Sequence, residues 1–228
     1  MIFAVVLLIG VLLTRCEGGG QPDTTAATGP AAKPTTQAGG SGSGNRARTV
    51  KNGVPVGYPR SRQGAVAAAV NYQVARSSPG YFTEAALRRQ VLQTVMATAS
   101  LPSQLEQDNQ ATGALLKALG VTTQTAPDMV MRSAPLGTRA DAYTPETATV
   151  DVWMSEVVGV PRDNSPMPVS ATWSTYTLIL QWRSGDWKVA AIKRSDGPTP
   201  LVATDSVPSS TGVMQSANSE FEAPPYAG

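Results

Sequence analysis

Histidine is absent from all 228 residues. With it go imidazole triads, imidazole proton shuttles and nearly every catalytic zinc site. A single cysteine, Cys16, excludes an intrachain disulfide and any Cys-rich metal cluster. Charge is scarce as well, at 15% of the chain against about 25% in an ordinary globular protein. Gly and Pro occupy 21 and 18 positions, so part of the length is expected to be neutral and non-folding. The net charge of +2 is too small to mark a nucleic-acid-binding surface. No G-x-S-x-G, P-loop or G-x-G-x-x-G occurs, and the acids lack EF-hand spacing. Neither a cofactor nor a metal is expected.

What is present falls into four segments. The first, residues 1–16, holds the unbroken apolar run Ile2–Leu13. At about 1.5 Å per helical residue the run is shorter than the roughly 20 residues that cross a bilayer core. Its length suits a signal-peptide core. It also suits a transmembrane helix that starts further upstream. Cys16 resembles the acylated cysteine of a bacterial lipoprotein, with Arg15 where such signals carry a small residue. The transmembrane and lipoprotein readings attach the chain to the cell membrane, by a single pass or a lipid, with the folded part expected on the extracytoplasmic side; a cleaved signal segment, or a plain secreted lipoprotein, is the alternative.

Residues 17–62 read as a stalk. From Glu17 to Thr49 there is no Val, Ile, Leu, Met, Phe, Tyr or Trp, so the stretch cannot bury enough apolar surface to offset its ordering entropy. It ends in a basic stem, with Arg46, Arg48, Lys51, Arg60 and Arg62 and no acid among them. Residues 1–62 carry seven bases and two acids, whereas 63–228 carry eleven bases and fourteen acids. A basic stem behind an anchor can touch anionic lipid or an acidic partner; the plainer reading is a solvated stem. Residues 204–228 read as a disordered tail, in which Phe221 and Tyr226 could form a short partner-binding motif.

Residues 63–203 carry regular patterns. Ser61 is placed to cap a helix over 64–75 whose stripe is Val66, Val70 and Val74. Thr83 is placed to cap a second, with Leu87, Val91 and Val95. Ser103 and Glu106 fit a capping box for a third, which runs through Leu105, Thr112, Leu115, Leu116 and Leu119 to a terminal Gly120. The period then falls to two. An interrupted strand is predicted from Met129 towards Tyr143, and a half-buried one through Ala148, Val150, Val152 and Met154. A long strand follows over 169–183, and a tight turn at Ser184-Gly185-Asp186 leads into a fourth over 187–194. Helices before strands give an α+β class: three N-terminal helices packed on a bent antiparallel sheet of about four strands.

This order, ending in the long-strand, Gly-turn, Trp-Lys-Val return of Thr175 to Ile192, resembles the cone-shaped NTF2-like (cystatin-like) fold. Behind an apolar segment and a stalk, it is similar to the bitopic assembly factors of type IV secretion and conjugation. It is also similar to the Mce-associated membrane proteins of actinobacteria. The entry GVPVGYPRSRQGAVAAAVNY (53–72) and the Ala/Thr/Gly/Pro-rich composition resemble membrane-anchored proteins of actinobacterial mobile elements. The resemblance implies a non-enzymatic scaffold that contacts itself or other envelope-complex subunits, and it supplies no catalytic residue.

Two sets of residues are candidates for chemistry. NTF2-like domains include enzymes that need a carboxylate base and a hydroxyl, so a ligand pocket would draw on Glu156, Asp151, Tyr143 and Tyr176; Asp141 is a further acid considered. Glu156 shares the parity of Val150, Val152 and Met154, which points it at the apolar side, where an unpaired carboxylate is costly. The plainer expectation is a bulge or strand end that lets it reach solvent or an arginine. Of Trp153, Trp173, Trp182 and Trp187, core and rim packing is the expected role. Trp173 is singled out on the face opposite Tyr176, which makes Trp173, Thr175, Thr177 and Ile179 the candidate partner contact.

Overall fold

The computed structural model describes residues 46–122, 124–201 and 208–220. Among them, no helix is long and apolar enough to cross a membrane. The run Ile2–Leu13, Cys16, Phe221 and Tyr226 lie outside the described residues.

The architecture is mixed α+β. A two-stranded hairpin, β1 (Thr49–Lys51) and β2 (Val54–Val56), precedes four helices. These are α1 (Arg62–Arg76), α2 (Pro79–Thr83), α3 (Ala85–Val95) and α4 (Leu101–Ala118). A 3-10 turn at Ala126–Asp128 leads into β3 (Val130–Tyr143), β4 (Thr147–Gly159), β5 (Ser170–Arg183) and β6 (Asp186–Asp196). The four strands form one antiparallel meander in chain order. A fifth helix, α5 (Thr211–Glu220), closes the described chain.

The expectation of three helices, all N-terminal, is therefore corrected in two ways. Pro79 sits in the first turn of the short α2 and Ser78 caps it, so the break between α1 and α3 contains an extra turn of helix. Helix α5 forms inside the predicted tail. Thr211 Oγ1 donates to Asp163 Oδ1 at 2.9 Å and Gln215 Nε2 to the Pro161 carbonyl at 2.9 Å, which ties it to the β4–β5 loop.

Local signals decide where elements start. Ser61 Oγ accepts from the Gly64 N–H at 3.0 Å, as the cap position predicts. Thr83 is not a cap. It closes α2 and donates to the Pro79 carbonyl, while Glu84 takes the cap position of α3 without a side-chain bond. Ser103 is not a cap either. Pro102 sits in the first turn, so α4 begins three residues earlier, with Ser100 at the cap position, and Ser103 Oγ donates to the Ser100 carbonyl at 3.1 Å. The predicted interruption in β3 appears as register shifts at Pro135/Gly137 and Ala140/Ala142.

The core lies between the helices and one face of the sheet. Even-numbered positions of β4 and β5, namely Ala148, Val150, Val152, Met154, Leu178 and Leu180, point inward, joined by Trp187 and Val189 of β6. Against them α1 turns Ala65, Ala68, Ala69 and Tyr72, all at 0% exposure. The expected valine stripe is only half-buried. Small side chains let the helix axis approach the sheet, so alanine rather than valine occupies the tightest contact.

Residues assigned to the stem also enter this core. Val54, Val56 and Tyr58 are buried at 1%, 7% and 0% exposure, and the Trp187 indole N–H donates to the Pro59 carbonyl at 2.9 Å. An ideal Cβ on Gly64 would lie 2.1 Å from that same carbonyl oxygen. Only glycine lets the entry segment cross α1 so closely.

Candidate functional site

Glu156 lies on the inner sheet face with Met154 and Ser174. Glu156 is half-buried, and Oε1 accepts from the Tyr176 hydroxyl at 2.8 Å while Oε2 accepts from the fully buried Ser174 hydroxyl at 3.1 Å. The parity argument thus places it on the correct face. Its partners are hydroxyls of β5 rather than an arginine. Burial, reinforced by the Glu156 carboxylate, pushes the Tyr176 phenol above its usual range. Tyr176 therefore stays protonated and donates.

The other two pocket candidates are elsewhere. Tyr143 pairs with Ala148 at the far end of β4, eight residues from Glu156, or about 27 Å along the strand. Its hydroxyl donates to the Arg60 carbonyl at 3.3 Å, and its ring packs on Trp187 with centroids 6.1 Å apart. Asp151 belongs to the outer face. It accepts from the Thr177 hydroxyl at 2.6 Å and from Arg139 Nη2 at 2.6 Å, while Arg139 Nε holds Asp141 at 2.6 Å. The structure brings Glu156 and Tyr176 together and separates Tyr143 and Asp151 from them.

A surface groove of about 830 Å³ lies between α2, the end of α4 and the start of β3, with Glu84, Leu116, Met129 and Arg132 among its walls. None of the four pocket candidates lines it. Among the described residues, no group of three or more metal-ligating side chains gathers.

Two buried polar networks were not foreseen. In the first, Arg76 Nη2 donates to Asp108 Oδ2 at 2.7 Å, with side chains 9% and 11% exposed. Tyr81 OH and Gln104 Nε2 also donate to Asp108, and Gln73 Oε1 receives Arg76 Nη1 at 2.9 Å. Burial is the main cause that raises the Tyr81 phenol. Arg88 extends the set, reaching the Tyr81 carbonyl at 2.8 Å and Asn109 Oδ1 at 2.8 Å. The available signal was Asp108 itself, a charge on the same helical face as Leu105, Thr112 and Leu119.

The second network centres on Asp186 in the β5–β6 turn. Oδ1 accepts the backbone N–H of Tyr58 at 3.2 Å and of Trp187 at 2.9 Å. Oδ2 lies 3.1 Å from both the Tyr72 hydroxyl and Lys188 Nζ. Desolvation, with Asp186 adding to it, pushes the Tyr58 and Tyr72 phenols upward. Every buried charged side chain named here is thus used to join one element to another.

On the outer face Trp173, Thr175, Thr177 and Ile179 alternate along β5, all half-buried, as their parity predicts. Among the described elements no helix covers them. Part of the face is crossed by the chain leaving β6, where Thr175 Oγ1 donates to the Gly197 carbonyl at 2.7 Å and the Trp153 indole to the Pro198 carbonyl at 3.0 Å. Trp173 and Ile179 are left with no side-chain polar role. Of the basic stem, Arg60 and Arg62 are fastened to the sheet, Arg60 to Pro145 and Glu146 and Arg62 to the Ala140 carbonyl. Arg46, Arg48 and Lys51 are exposed around the β1–β2 hairpin.

Fold and site together define an α+β domain whose buried ionisable groups brace its own elements. The family described as Domain of unknown function (DUF8175) matches residues 14–215, and the chain belongs to it. No curated protein sequence matches. Among solved structures the chain is similar to an IcmL-like type IV secretion system protein from Legionella pneumophila, at 9% identity and TM-score 0.49, over 63% of this chain and 98% of that one. It is also similar to the intermembrane space region of the chloroplast protein ARC6, at 12% identity and TM-score 0.37, over 59% and 94%. A de novo β-sheet design protein gives 16% identity and TM-score 0.34, over 64% and 98%. All three scores lie below 0.5.

Proposed function

We propose that the chain is a non-enzymatic interaction module, tethered to the cell membrane by its N-terminal segment and working in an envelope complex of the conjugation or secretion kind. The folded unit is read as an NTF2-like cone on the extracytoplasmic side. The observation that carries the reading is the outer sheet face. Trp173 and Ile179 stand there without a covering helix among the described elements. Aromatic side chains on a rigid sheet lose little entropy on binding, which favours them as contact anchors. The partner is a second copy of the chain or another envelope subunit.

Photo-crosslinking from Ile179 of the full chain in its own cells tests this. A defined crosslink is expected from Ile179 and none from exposed Arg89 on α3. Equal yields from the two positions, with a strictly monomeric purified protein, refute it. The alternative is a small-molecule site around Glu156, which the Glu156–Tyr176 pair favours. It predicts that Glu156→Gln abolishes ligand binding while leaving the fold intact.

A further inference from the structure

We propose that the end of the sheet formed by the β3–β4 and β5–β6 turns is a docking surface for an anionic lipid bilayer. The inference rests on the membrane-tether reading above and gives that tether an orientation.

The meander puts the turns at 144–146 and 184–185 at one end, opposite the β4–β5 loop. Arg60 joins them. Its Nε donates to the Pro145 carbonyl at 2.7 Å, its Nη2 to Glu146 at 2.7 Å, and its guanidinium lies 5.8 Å above the Trp182 ring. The β1–β2 hairpin is fixed to the same end. Beside it the Tyr58 N–H meets Asp186, and Asn52 Nδ2 donates to Thr94 Oγ1 at 3.0 Å, whose backbone carbonyl also receives Lys188 Nζ.

This assembly gathers charge of one sign. The only acids on these turns and the hairpin are Glu146 and Asp186, and they are paired with Arg60 and Lys188. Arg46, Arg48, Lys51, Arg62 and Arg183 remain exposed and, among the described residues, without an ion pair. Arg183 is new to the set, brought in by folding from the far side of the sequence. The excess of five cations contrasts with residues 63–228, where fourteen acids outnumber eleven bases.

Two observations select a bilayer over a nucleic acid or an acidic protein. Val50 is 65% exposed, two residues from Arg48 and so on the same face of the hairpin, with Lys51 next to it in the chain. An apolar side chain flanked by cations suits the headgroup boundary. Among the described residues, no exposed aromatic ring stands among these cations to stack a base: Trp182 and Tyr143 are half-buried, and Arg60 covers Trp182. In the sequence, 32 residues separate Leu13 from Arg46, the first described residue.

The test uses the full chain with Cys16→Ser and Val50→Cys carrying an environment-sensitive fluorophore. It is mixed with vesicles of phosphatidylcholine alone, or of phosphatidylcholine with phosphatidylserine. A blue shift is expected only with phosphatidylserine. It should fade at high salt and vanish in Arg48→Glu/Lys51→Glu/Arg183→Glu, where each lost cation lowers binding about fivefold. The same label at Val213 on α5 should stay in water throughout. Co-flotation of the unsubstituted chain, Cys16 retained and purified from its own membranes, with phosphatidylcholine alone reads the tether separately, so a chain that does not float there while the labelled protein still shifts with phosphatidylserine loses the tether and keeps the docking surface. Equal emission from Val50 in both vesicles overturns the proposal. So does a shift given by a DNA duplex or polyglutamate and not by anionic vesicles.

Discussion

Raising the pH should unfold this domain through its tyrosines. Tyr58, Tyr72 and Tyr81 are at most 2% exposed, and burial pushes all three phenols, with that of Tyr176, above the ordinary value near 10. A neighbouring carboxylate adds to each: Asp186 for Tyr58 and Tyr72, Asp108 for Tyr81, Glu156 for Tyr176. The folded state therefore holds these protons after the unfolded chain has released them. Below about pH 10 both states are protonated and nothing changes. Above it the unfolded state gains ionisation free energy that the folded state cannot match, and stability falls as pH rises. Each phenol that stays protonated contributes a loss of about 1.4 kcal/mol at pH 11. The three fully buried ones together remove about 4 kcal/mol, a large part of the usual 5–15 kcal/mol.

Urea melts between pH 8 and 11.5, followed by tryptophan fluorescence, should show a midpoint that is flat to about pH 9.5 and then drops steeply. Absorbance of phenolate at 295 nm separates the cause. In the native protein at pH 11, no more than two of the six tyrosines should be ionised, and the rest should appear together with unfolding. Tyr72→Phe should shallow the drop by about one proton. If more than two tyrosines ionise while the fluorescence remains native, the buried hydroxyls are open to solvent and the reasoning fails.

Three further outcomes follow from named contacts. Asp108→Asn should destabilise the domain by about 3–5 kcal/mol in chemical denaturation, because it strands the buried Arg76 guanidinium; Arg76→Met with Asp108→Leu should recover much of that loss. Gly64→Ala, which in an open helix would stabilise by up to about 1 kcal/mol, should here destabilise by about 1–3 kcal/mol, since its Cβ meets the Pro59 carbonyl; an unchanged melting temperature contradicts the close crossing. Deleting residues 1–58 removes the buried Val54, Val56 and Tyr58, worth about 1.5–3 kcal/mol each, so that fragment should melt well below one that begins at Arg46.

The sheet was legible because its signals are local. Alternation through Val150, Val152 and Met154 needs no knowledge of the partner strand, and the Ser184-Gly185 turn supplies the positive φ of a tight hairpin, 50° and 81°. Helices were legible as periodic segments and poorly legible at their ends, where Pro79 and Pro102 outweighed the hydroxyl caps. The stripe on α1 failed for a different reason. Hydropathy ranks Val above Ala, but the helix approaches a twisted sheet, and there the smaller side chain faces inward. The β1–β2 hairpin was illegible because its segment is short, basic and preceded by a polar stretch. Its membership is decided by Asp186 and Trp187, more than a hundred residues away.

The candidate site divides along the same line. Parity assigned Glu156 to the inner face and Thr175, Thr177 and Ile179 to the outer one, since both follow from a period of two. Parity does not report distance along a strand, so Tyr143 was grouped with an acid about 27 Å away. Parity does report face, and it separates the odd Asp151 from the even Glu156 on the same strand; the structure agrees, with Arg139 and Thr177 holding Asp151 on the outer face. The basic stem shows the converse. Its five cations lie within seventeen residues of sequence and all stay exposed, yet folding fastens Arg60 and Arg62 to the sheet by hydrogen bonds and adds Arg183 from the end of β5. Composition could count the charge, but only the meander could put it at one end of the sheet. That placement is what turns a net charge of +2 into a directional surface.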